Sequence, residues 1–216
     1  MTDPPPASRV ATHPRPWVPI RSLGPGQRRV ATRHLLGLVQ ADRYLRFGFS
    51  ASDEQIERYI QGLNFERDEV FGIFNRRLKL LALAHLAYPA DGQTDSAAEF
   101  GVSVLASARG RGYGSQLFEH AMLHARNRNI DTLFIHALSE NTAMLHIARR
   151  FGATLQRDGS ETDAFLKLPP DTLASQVEAL VTDGVGELDY RYKQQSQLVS
   201  RLLDIVAVAP AGPGTP

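Results

Sequence analysis

The sequence predicts an α/β protein in which helices flank a mixed central sheet of about six to seven strands. Residues 78–84 and 132–138 are almost wholly apolar, which is typical of strands covered on both faces. Between them, Leu117, Phe118, Ala121, Met122 and Ala125 recur at helical spacing and indicate an amphipathic helix. This order of strands and helices is that of a layered α/β fold.

The N-terminal part of the chain predicts a leader, a strand and two helices. Residues 1–16 contain five prolines and predict a disordered leader. Residues 17–21 are a strand candidate. One helix is expected to follow through Val30, Leu35, Leu38 and Val39. Ser52 precedes Asp53 and Glu54 and is the expected cap of a second helix, ending near Leu63.

The middle of the chain predicts three strands. Residues 70–74 and 78–88 are joined near 75–77, which predicts an antiparallel hairpin. Residues 89–92 begin a loop. In residues 100–105 the β-branched residues lie two apart, as on one face of a third strand.

The remainder predicts alternating elements and a helical extension. Residues 132–138 form a strand, and a helix opened by Asn141 ends near Gly152. Two short strands at 153–157 and 164–168 flank a hairpin-like turn. The interpretation is one domain over residues 17–168, a C-terminal helical extension over 169–206 and a disordered tail over 207–216.

Composition limits the classes of function. The formal net charge of +1 provides no electrostatic basis for binding nucleic acid or a membrane surface. No apolar run approaches the roughly 20 residues that span a bilayer. The chain has no cysteine, which excludes disulfides, thiol catalysis and thiolate metal sites. We expect a cytoplasmic protein.

A glycine-rich stretch lies between the strand at 100–105 and the helix through Leu117. It comprises Arg109, Gly110, Arg111, Gly112, Tyr113, Gly114 and Ser115. Glycines allow a ligand to approach the backbone closely, and the first turn of the helix offers free N–H groups and the positive end of the helix dipole. The stretch is therefore a candidate phosphate cradle, and the alternative is a tight structural turn.

Two blocks together resemble a known superfamily. Arg109-x-x-Gly112-x-Gly114 following Val102-x-Val104 resembles the acetyl-coenzyme A signature of the GCN5-related N-acetyltransferases (GNAT). The helix from Asn141 to Gly152 is similar to a second GNAT motif. The motifs most resemble the branch that includes bacterial protein lysine acetyltransferases. The resemblance covers about residues 17–168 and implies a splayed central sheet.

The resemblance also implies roles for these residues. Backbone groups of Val102 and Val104 would pair with the pantetheine arm as an added strand. Backbone N–H groups from Arg109 to Ser115 would hold the pyrophosphate, with Arg109 and Arg111 adding charge. Arg111 is equally interpreted as a solvated surface residue. Asn141 would bond the arm or the thioester end, or act as a helix N-cap, and both roles are compatible.

The catalytic groups are less clearly indicated. Many relatives carry a tyrosine acid four residues before the helix-ending glycine, but Ala148 occupies that position here. His146 is rotated about 200° from it, so the sequence identifies no acid. Ala98-Glu99-Phe100 resembles a block in which the glutamate is the general base, and the alternative is an exposed strand-end glutamate. His136 is a second base candidate, although a core histidine is the favoured interpretation.

A metal site has weak support. His120 and His124 are four residues apart on one helix, but Ala121 stands where zinc proteases have their glutamate. We therefore expect no metal cofactor.

We expect an N-acetyltransferase that moves acetyl from acetyl-CoA to a primary amine by direct attack. The acceptor is a small molecule or a protein lysine or N-terminus. We expect it to bind over residues 28–63 and 89–97, where Asp91 and Asp95 could attract a cationic amine. Two alternatives are a non-catalytic acyl-CoA-binding module and an enzyme with another acyl donor. The C-terminal helices suggest a homodimer interface.

Overall fold

The computed structural model describes residues 18–90, 96–169, 186–187 and 189–190. The strands in these residues are β1 (Ile20–Leu23), β2 (Glu69–Phe74), β3 (Leu80–Ala87), β4 (Ala97–Val104), β5 (Thr132–Leu138), β6 (Thr154–Asp158) and β7 (Glu161–Lys167). The helices are α1 (Arg28–Leu36), α2 (Gln40–Phe47), α3 (Asp53–Gly62), α4 (Tyr113–Asn127) and α5 (Thr142–Arg150). Two short 3-10 turns, Pro25–Gln27 and Ala106–Ala108, precede α1 and the glycine-rich stretch.

The strands form one seven-stranded mixed sheet in the order β1-β2-β3-β4-β5-β7-β6. All neighbouring strands are antiparallel except β4 and β5, which are parallel. The predicted fold class is confirmed, and so is the hairpin formed by β2 and β3. β7 lies between β5 and β6, so β6 is one edge strand of this sheet and β1 is the other.

The parallel pair β4–β5 separates along its length. Only Ala97, Ala98 and Glu99 of β4 have partners on β5, and the last pair joins Glu99 to Phe134. Beyond that pair β4 continues to Val104 while bonded to β3 alone, and β5 continues to Leu138 while bonded to β7. The sheet is therefore splayed, with its apex at Glu99 and its opening toward the glycine-rich stretch.

Each face of the sheet has its own apolar core. One face packs against α4 and α5, where the Phe100 and Phe118 rings meet edge to face with centroids 5.0 Å apart. The other face packs against α1, α2 and α3 through residues such as Leu35, Ile56 and Ile60, all fully buried. Burying apolar area on both faces supplies the main driving force for this arrangement.

The first predicted helix ends earlier than expected, and the helix that follows it, α2, was not predicted. α1 ends at Leu36, with Gly37 as its C-cap, and α2 begins at Gln40, with Val39 as its N-cap. The side chain of Arg43 accounts for the break, because it donates to the carbonyls of Leu36 and Leu38 at 2.9 and 3.1 Å. The carbonyls of Leu36 and Leu38 therefore accept hydrogen bonds from Arg43 instead of from the backbone N–H groups of a continuing helix. The prediction of a single helix through Val39 is wrong.

The second predicted helix start is confirmed. Ser52 is the N-cap of α3, and its hydroxyl accepts the backbone N–H of Gln55 at 3.3 Å. The Gln55 side chain accepts the N–H of Ser52 in return, which completes a capping box. Arg28 of α1 binds the other end of α3, donating to the carbonyl of Leu63 at 2.8 Å.

Four residues of the C-terminal extension are described. Gly186, Glu187, Asp189 and Tyr190 are helical, and Glu187 accepts a 2.8 Å ion-paired hydrogen bond from Arg21 of β1. The rest of the extension, the leader, the tail, Asp91 and Asp95 lie outside the described residues. Within the described part of the chain, no helix has both the length and the apolarity needed to cross a membrane.

Candidate active site

A cavity of about 520 Å³ lies at the opening of the splay. Its walls come from α2, β4, the glycine-rich stretch, the start of α4 and the first two turns of α5. The lining residues are Leu38, Asp42, Leu45, Arg46, Val102, Ser103, Val104, Ala108, Arg109, Gly110, Gly112, Tyr113, Gly114, Ser115, Asn141, Ala143, Met144, His146 and Ile147. The structure thus brings Val102, Val104, Asn141 and all but one residue of the glycine-rich stretch around one cavity.

The glycine-rich stretch turns the chain from β4 into α4. Gly112 is the N-cap of α4 and has a φ of 78°, in the left-handed region that favours glycine. The first backbone bond of α4 is donated by Gln116 to the carbonyl of Gly112 at 3.1 Å. The N–H groups of Tyr113, Gly114 and Ser115 therefore precede the helical hydrogen bonds and are available to an anion.

The two arginines of this stretch occupy different environments. Arg109 lines the cavity and forms an ion pair with Asp42 of α2, which closes α2 over the turn. Arg111 is solvent-exposed and does not line the cavity. Of the two, only Arg109 lines the cavity.

The β4 wall is held from behind by a buried histidine. His34 of α1 bonds the carbonyl of Leu80 through Nδ1 at 3.1 Å and the hydroxyl of Ser103 through Nε2 at 2.8 Å. Both contacts are satisfied by one tautomer, in which Nδ1 donates and the hydroxyl of Ser103 donates to Nε2. Burial lowers the pKa of His34 to about 4, so the ring is neutral near pH 7.

Asn141 joins two walls of the cavity. Its Oδ1 accepts the backbone N–H of Met144 at 3.1 Å, which makes it the N-cap of α5. Its Nδ2 donates to the carbonyl of Leu45 in α2 at 3.1 Å. The predicted N-cap is confirmed. The amide also ties α5 to α2 across the splay, a contact that the sequence does not indicate.

Glu99 lies at the apex of the splay. It is the last residue of β4 paired with β5, it is exposed, and it does not line the cavity. On β4 it shares a face with Gly101 and Ser103, since alternate residues of a strand point the same way. This is the face covered by α1 to α3, so the Glu99 side chain lies on that side of the sheet.

His136 is not a core histidine, contrary to the favoured interpretation. Its side chain is 43% exposed, and Nδ1 lies 2.7 Å from Asp163 Oδ1 on the neighbouring strand β7. This hydrogen bond raises the pKa of His136 against a weaker effect of burial, and the charges of Asp163, Glu161 and Glu99 raise it further. His136 lies two residues beyond Phe134, the β5 partner of Glu99, so both residues lie near the apex on the same face of the sheet.

The position that carries tyrosine in many relatives is inaccessible here. Ala148 is fully buried in the core between the sheet and α5 and does not line the cavity. His146, two residues earlier, does line the cavity and is exposed. Position 148 therefore offers no group to the cavity, whereas the imidazole of His146 and the phenol of Tyr113 line it.

α2 contributes three lining residues that the sequence did not indicate, Asp42, Leu45 and Arg46, and Leu38 just before the helix is a fourth. Arg46 donates from Nη2 to the hydroxyl of Tyr59 at 3.0 Å. That hydroxyl bonds His85 Nδ1 at 2.8 Å, and His85 Nε2 lies 3.2 Å from Asp68 Oδ2. The i, i+4 spacing of Asp42 and Arg46 is the one available sequence signal, and it does not distinguish a cavity wall from a solvated face.

His120 and His124 pack together on the other side of the sheet. Their ring centroids are 4.4 Å apart, and both rings contact the ring of Phe71. His124 Nδ1 lies 3.2 Å from a carboxylate oxygen of Glu69. No group of three or more metal-ligating side chains occurs within the described residues.

The sequence and the structure were compared with known proteins. The family model described as "Acetyltransferase (GNAT) family" matches residues 39–153. The comparison with curated proteins found no match.

Solved structures share the fold at low identity. The GNAT domain of S. lividans PAT has a TM-score of 0.59 and 20% identity, over 69% of this chain and 89% of that chain. Spermidine N-acetyltransferase from Vibrio cholerae, solved with CoA and spermine, has a TM-score of 0.54 and 16% identity, over 68% and 94%. Ribosomal-protein-alanine N-acetyltransferase from Brucella melitensis has a TM-score of 0.53 and 18% identity, over 68% and 96%.

Proposed function

The chain belongs to the GNAT acetyltransferase family, and from this membership we propose that it transfers an acetyl group from acetyl-CoA to a primary amine. The observation that carries the proposal is the single cavity that joins the glycine-rich turn to the splay of β4 and β5. An anion-binding turn at one end and a free strand edge beside it suit a diphosphate followed by an amide-containing arm.

In the proposed complex, the backbone N–H groups of Tyr113, Gly114 and Ser115 bind the diphosphate and Arg109 adds charge. The free edge of β4 at Val102 and Val104 pairs with the amides of the pantetheine arm. This direction along β4 places the acyl group near the apex, where backbone N–H groups would bind the carbonyl oxygen as charge develops.

The acceptor amine arrives as an ammonium and must lose a proton before its nitrogen attacks the thioester. Glu99 is the proposed base because it is exposed and lies at the apex. His136, which pairs with Asp163, is the second candidate base and lies near the same apex. The departing thiolate takes a proton from water or from His146, which lines the cavity.

We leave the acceptor as a primary amine. The structural neighbours include a polyamine acetyltransferase and a ribosomal protein acetyltransferase, so the shared fold serves both small and protein acceptors. The protein lysine branch remains our proposal from the motif around Glu99. A second candidate function, non-catalytic acyl-CoA binding, is favoured by Ala148 at the usual tyrosine position.

Binding is tested by thermal unfolding with acetyl-CoA. A ligand at about 100 times its dissociation constant stabilises the folded state by about 2.7 kcal/mol. For a chain of this size we expect a rise in Tm of about 5–10 °C. Gly112→Trp should remove this rise by filling the turn. No rise in the wild-type protein would contradict the proposed function.

Turnover separates the enzyme from the binding module. We expect release of free CoA in the presence of polyamine or lysine-peptide acceptors. Glu99→Gln should keep the rise in Tm but lower turnover, most strongly near neutral pH. Ligand binding without CoA release from any acceptor would favour the non-catalytic module, and unchanged turnover in Glu99→Gln would exclude Glu99 as the base.

A further inference from the structure

The cavity holds a guanidinium at the end remote from the glycine-rich turn. On α2, Asp42 pairs with Arg109 of the turn, and Arg46 lies about one helical turn farther on. There the guanidinium packs against Gly101 of β4, two residues from the apex at Glu99. Arg46 therefore lies where the proposed complex places the acyl group.

Within the described residues no carboxylate oxygen lies within 4.0 Å of the Arg46 guanidinium, and Asp42, one helical turn earlier on α2, pairs instead with Arg109. The neighbours of the Arg46 guanidinium are the hydroxyl of Tyr59 and the rings of Phe47 and Tyr59, whose centroids lie 5.2 and 5.6 Å from Cζ. A partly buried cation among aromatic rings has lost much of its hydration, and a ligand anion would restore a charged partner.

The network behind Arg46 positions the charge without neutralising it. Tyr59 accepts from Arg46 and donates to His85 Nδ1, so Nε2 of His85 donates to Asp68. Burial, together with the nearby charge of Arg46, lowers the pKa of His85, so the ring is neutral near pH 7. Asp68 in turn receives two hydrogen bonds from Arg67, at 2.7 and 3.0 Å.

We infer that the cavity binds acyl groups that end in a carboxylate, which Arg46 recognises at the acyl end of the CoA site. The inference rests on the proposed function and extends its donor from acetyl-CoA to short dicarboxylic acyl thioesters. A guanidinium offers paired N–H donors that match the two oxygens of a carboxylate. Gly101 provides the space, because a side chain there would occupy the position of the guanidinium.

The reaction would be the same acyl transfer. The amine nitrogen bonds to the thioester carbonyl carbon, the C–S bond breaks, and CoA leaves as a thiolate. One proton of the ammonium passes to the base before attack, and the second proton that the nitrogen loses as the amide forms reaches the thiolate, directly or through water, to give free CoA. With a succinyl group the product is an amide bearing a free carboxylate, so the acceptor changes from a cation to an anion.

Equilibrium binding to the full chain tests the inference without an acceptor. Succinyl-CoA and butyryl-CoA have four-carbon acyl chains that differ in the terminal carboxylate, and acetyl-CoA and free CoA complete the set. We expect succinyl-CoA to bind about 10-fold more tightly than butyryl-CoA, the effect of one charge-assisted contact. Equal binding, or tighter binding of butyryl-CoA, would overturn the inference.

Variants assign the preference to Arg46. In Arg46→Gln the ratio should fall to about one while butyryl-CoA binds within about twofold of wild type, and Arg46→Lys should keep part of the preference. Tyr59→Phe should reduce the ratio by releasing Arg46. Arg149→Gln, an exposed position on α5 outside the cavity, should change nothing. A ratio that persists in Arg46→Gln would overturn the inference.

Other outcomes separate the competing roles. If Arg46→Gln lowers turnover equally with every donor, the guanidinium serves the thioester carbonyl, and the inference is wrong. If it weakens only acceptors that carry a carboxylate, with acetyl-CoA as donor, the carboxylate belongs to the acceptor, and the inference is again wrong. If neither acetyl-CoA nor free CoA binds, the proposed function itself fails.

Discussion

The guanidinium of Arg46 packs against the Cα of Gly101. A Cβ on Gly101 would lie 2.5 Å from Nη2, 2.7 Å from Cζ and 2.9 Å from Nη1 of Arg46. These distances are far below ordinary van der Waals contact, so the guanidinium of Arg46 can occupy its place only because residue 101 has no side chain. The absence of a side chain at Gly101 allows α2 to bring a charge onto the surface of β4.

Gly101→Ala should alter ligand selection while leaving the fold intact. The displaced atoms are the flexible end of an arginine, so we expect the free energy of unfolding to change by less than about 1 kcal/mol. The binding preference for succinyl-CoA over butyryl-CoA should fall as Arg46 moves. Urea denaturation and equilibrium binding measure the two effects. Gly62→Ala, where no atom lies within 4 Å of the new Cβ, should leave the preference unchanged.

Asp42→Asn should strengthen CoA binding. Asp42 places a carboxylate in the wall beside the proposed diphosphate site and holds Arg109 in an ion pair. Removing the charge should raise the affinity by up to about fivefold, the scale of an exposed ion pair, and salt should diminish the gain. Titration calorimetry at two salt concentrations measures it, with Asp158→Asn, an exposed position on β6 outside the cavity, as the control. Weaker binding would mean that Asp42 is needed to position Arg109.

His34 should make the fold sensitive to acid. The unfolded chain binds a proton at His34 below pH 6.5, whereas the folded protein does so only near pH 4. The stability that comes from neutral, buried His34 is therefore fully present above pH 6.5 and is lost as the pH falls toward 4. At about 1.4 kcal/mol per pH unit the loss reaches about 3 kcal/mol.

The difference between wild type and His34→Gln isolates this effect. Because glutamine does not titrate, the advantage of wild type in urea denaturation should shrink steadily from about pH 7 to about pH 4. A difference that stays constant over this range would show that His34 does not control the acid sensitivity.

Ala148→Tyr should destabilise the protein without supplying an acid. Ala148 is 0% exposed in the core cluster, and a phenol there would force neighbouring side chains from their positions. We expect a loss of about 1–3 kcal/mol in the free energy of unfolding. His146→Tyr places the same group at an exposed position in the cavity wall and should cost little. Equal stability of the two variants would contradict the assignment of position 148 to the core.

The parts of the fold that the sequence predicted depend on local patterns. The apolar run at 132–138 gives β5, Ser52 and Gln55 give the start of α3, and the alternating residues before the glycine-rich stretch give β4. Each signal is contained within about ten residues, so propensity and periodicity are sufficient to detect it.

The parts that were missed depend on side-chain contacts that propensity and periodicity do not reveal. The break between α1 and α2 is stabilised by Arg43, which donates to carbonyls five and seven residues earlier in the chain. Arg46 and Gly101 are 55 positions apart, and nothing near either residue indicates the other. The inward position of Ala148 follows from the packing of α5 against the sheet. Tertiary contacts of this kind determine much of the α2 wall of the cavity.

The early end of the β4–β5 ladder leaves part of a sheet edge inside the molecule. Along residues 101–104, alternate backbone amides point toward the opening rather than toward β3. Without a partner these amides should exchange their hydrogens with solvent rapidly, and a ligand that pairs with them should slow the exchange there first. The deuterium uptake of this one segment would then report occupancy of the site without an assay of any reaction.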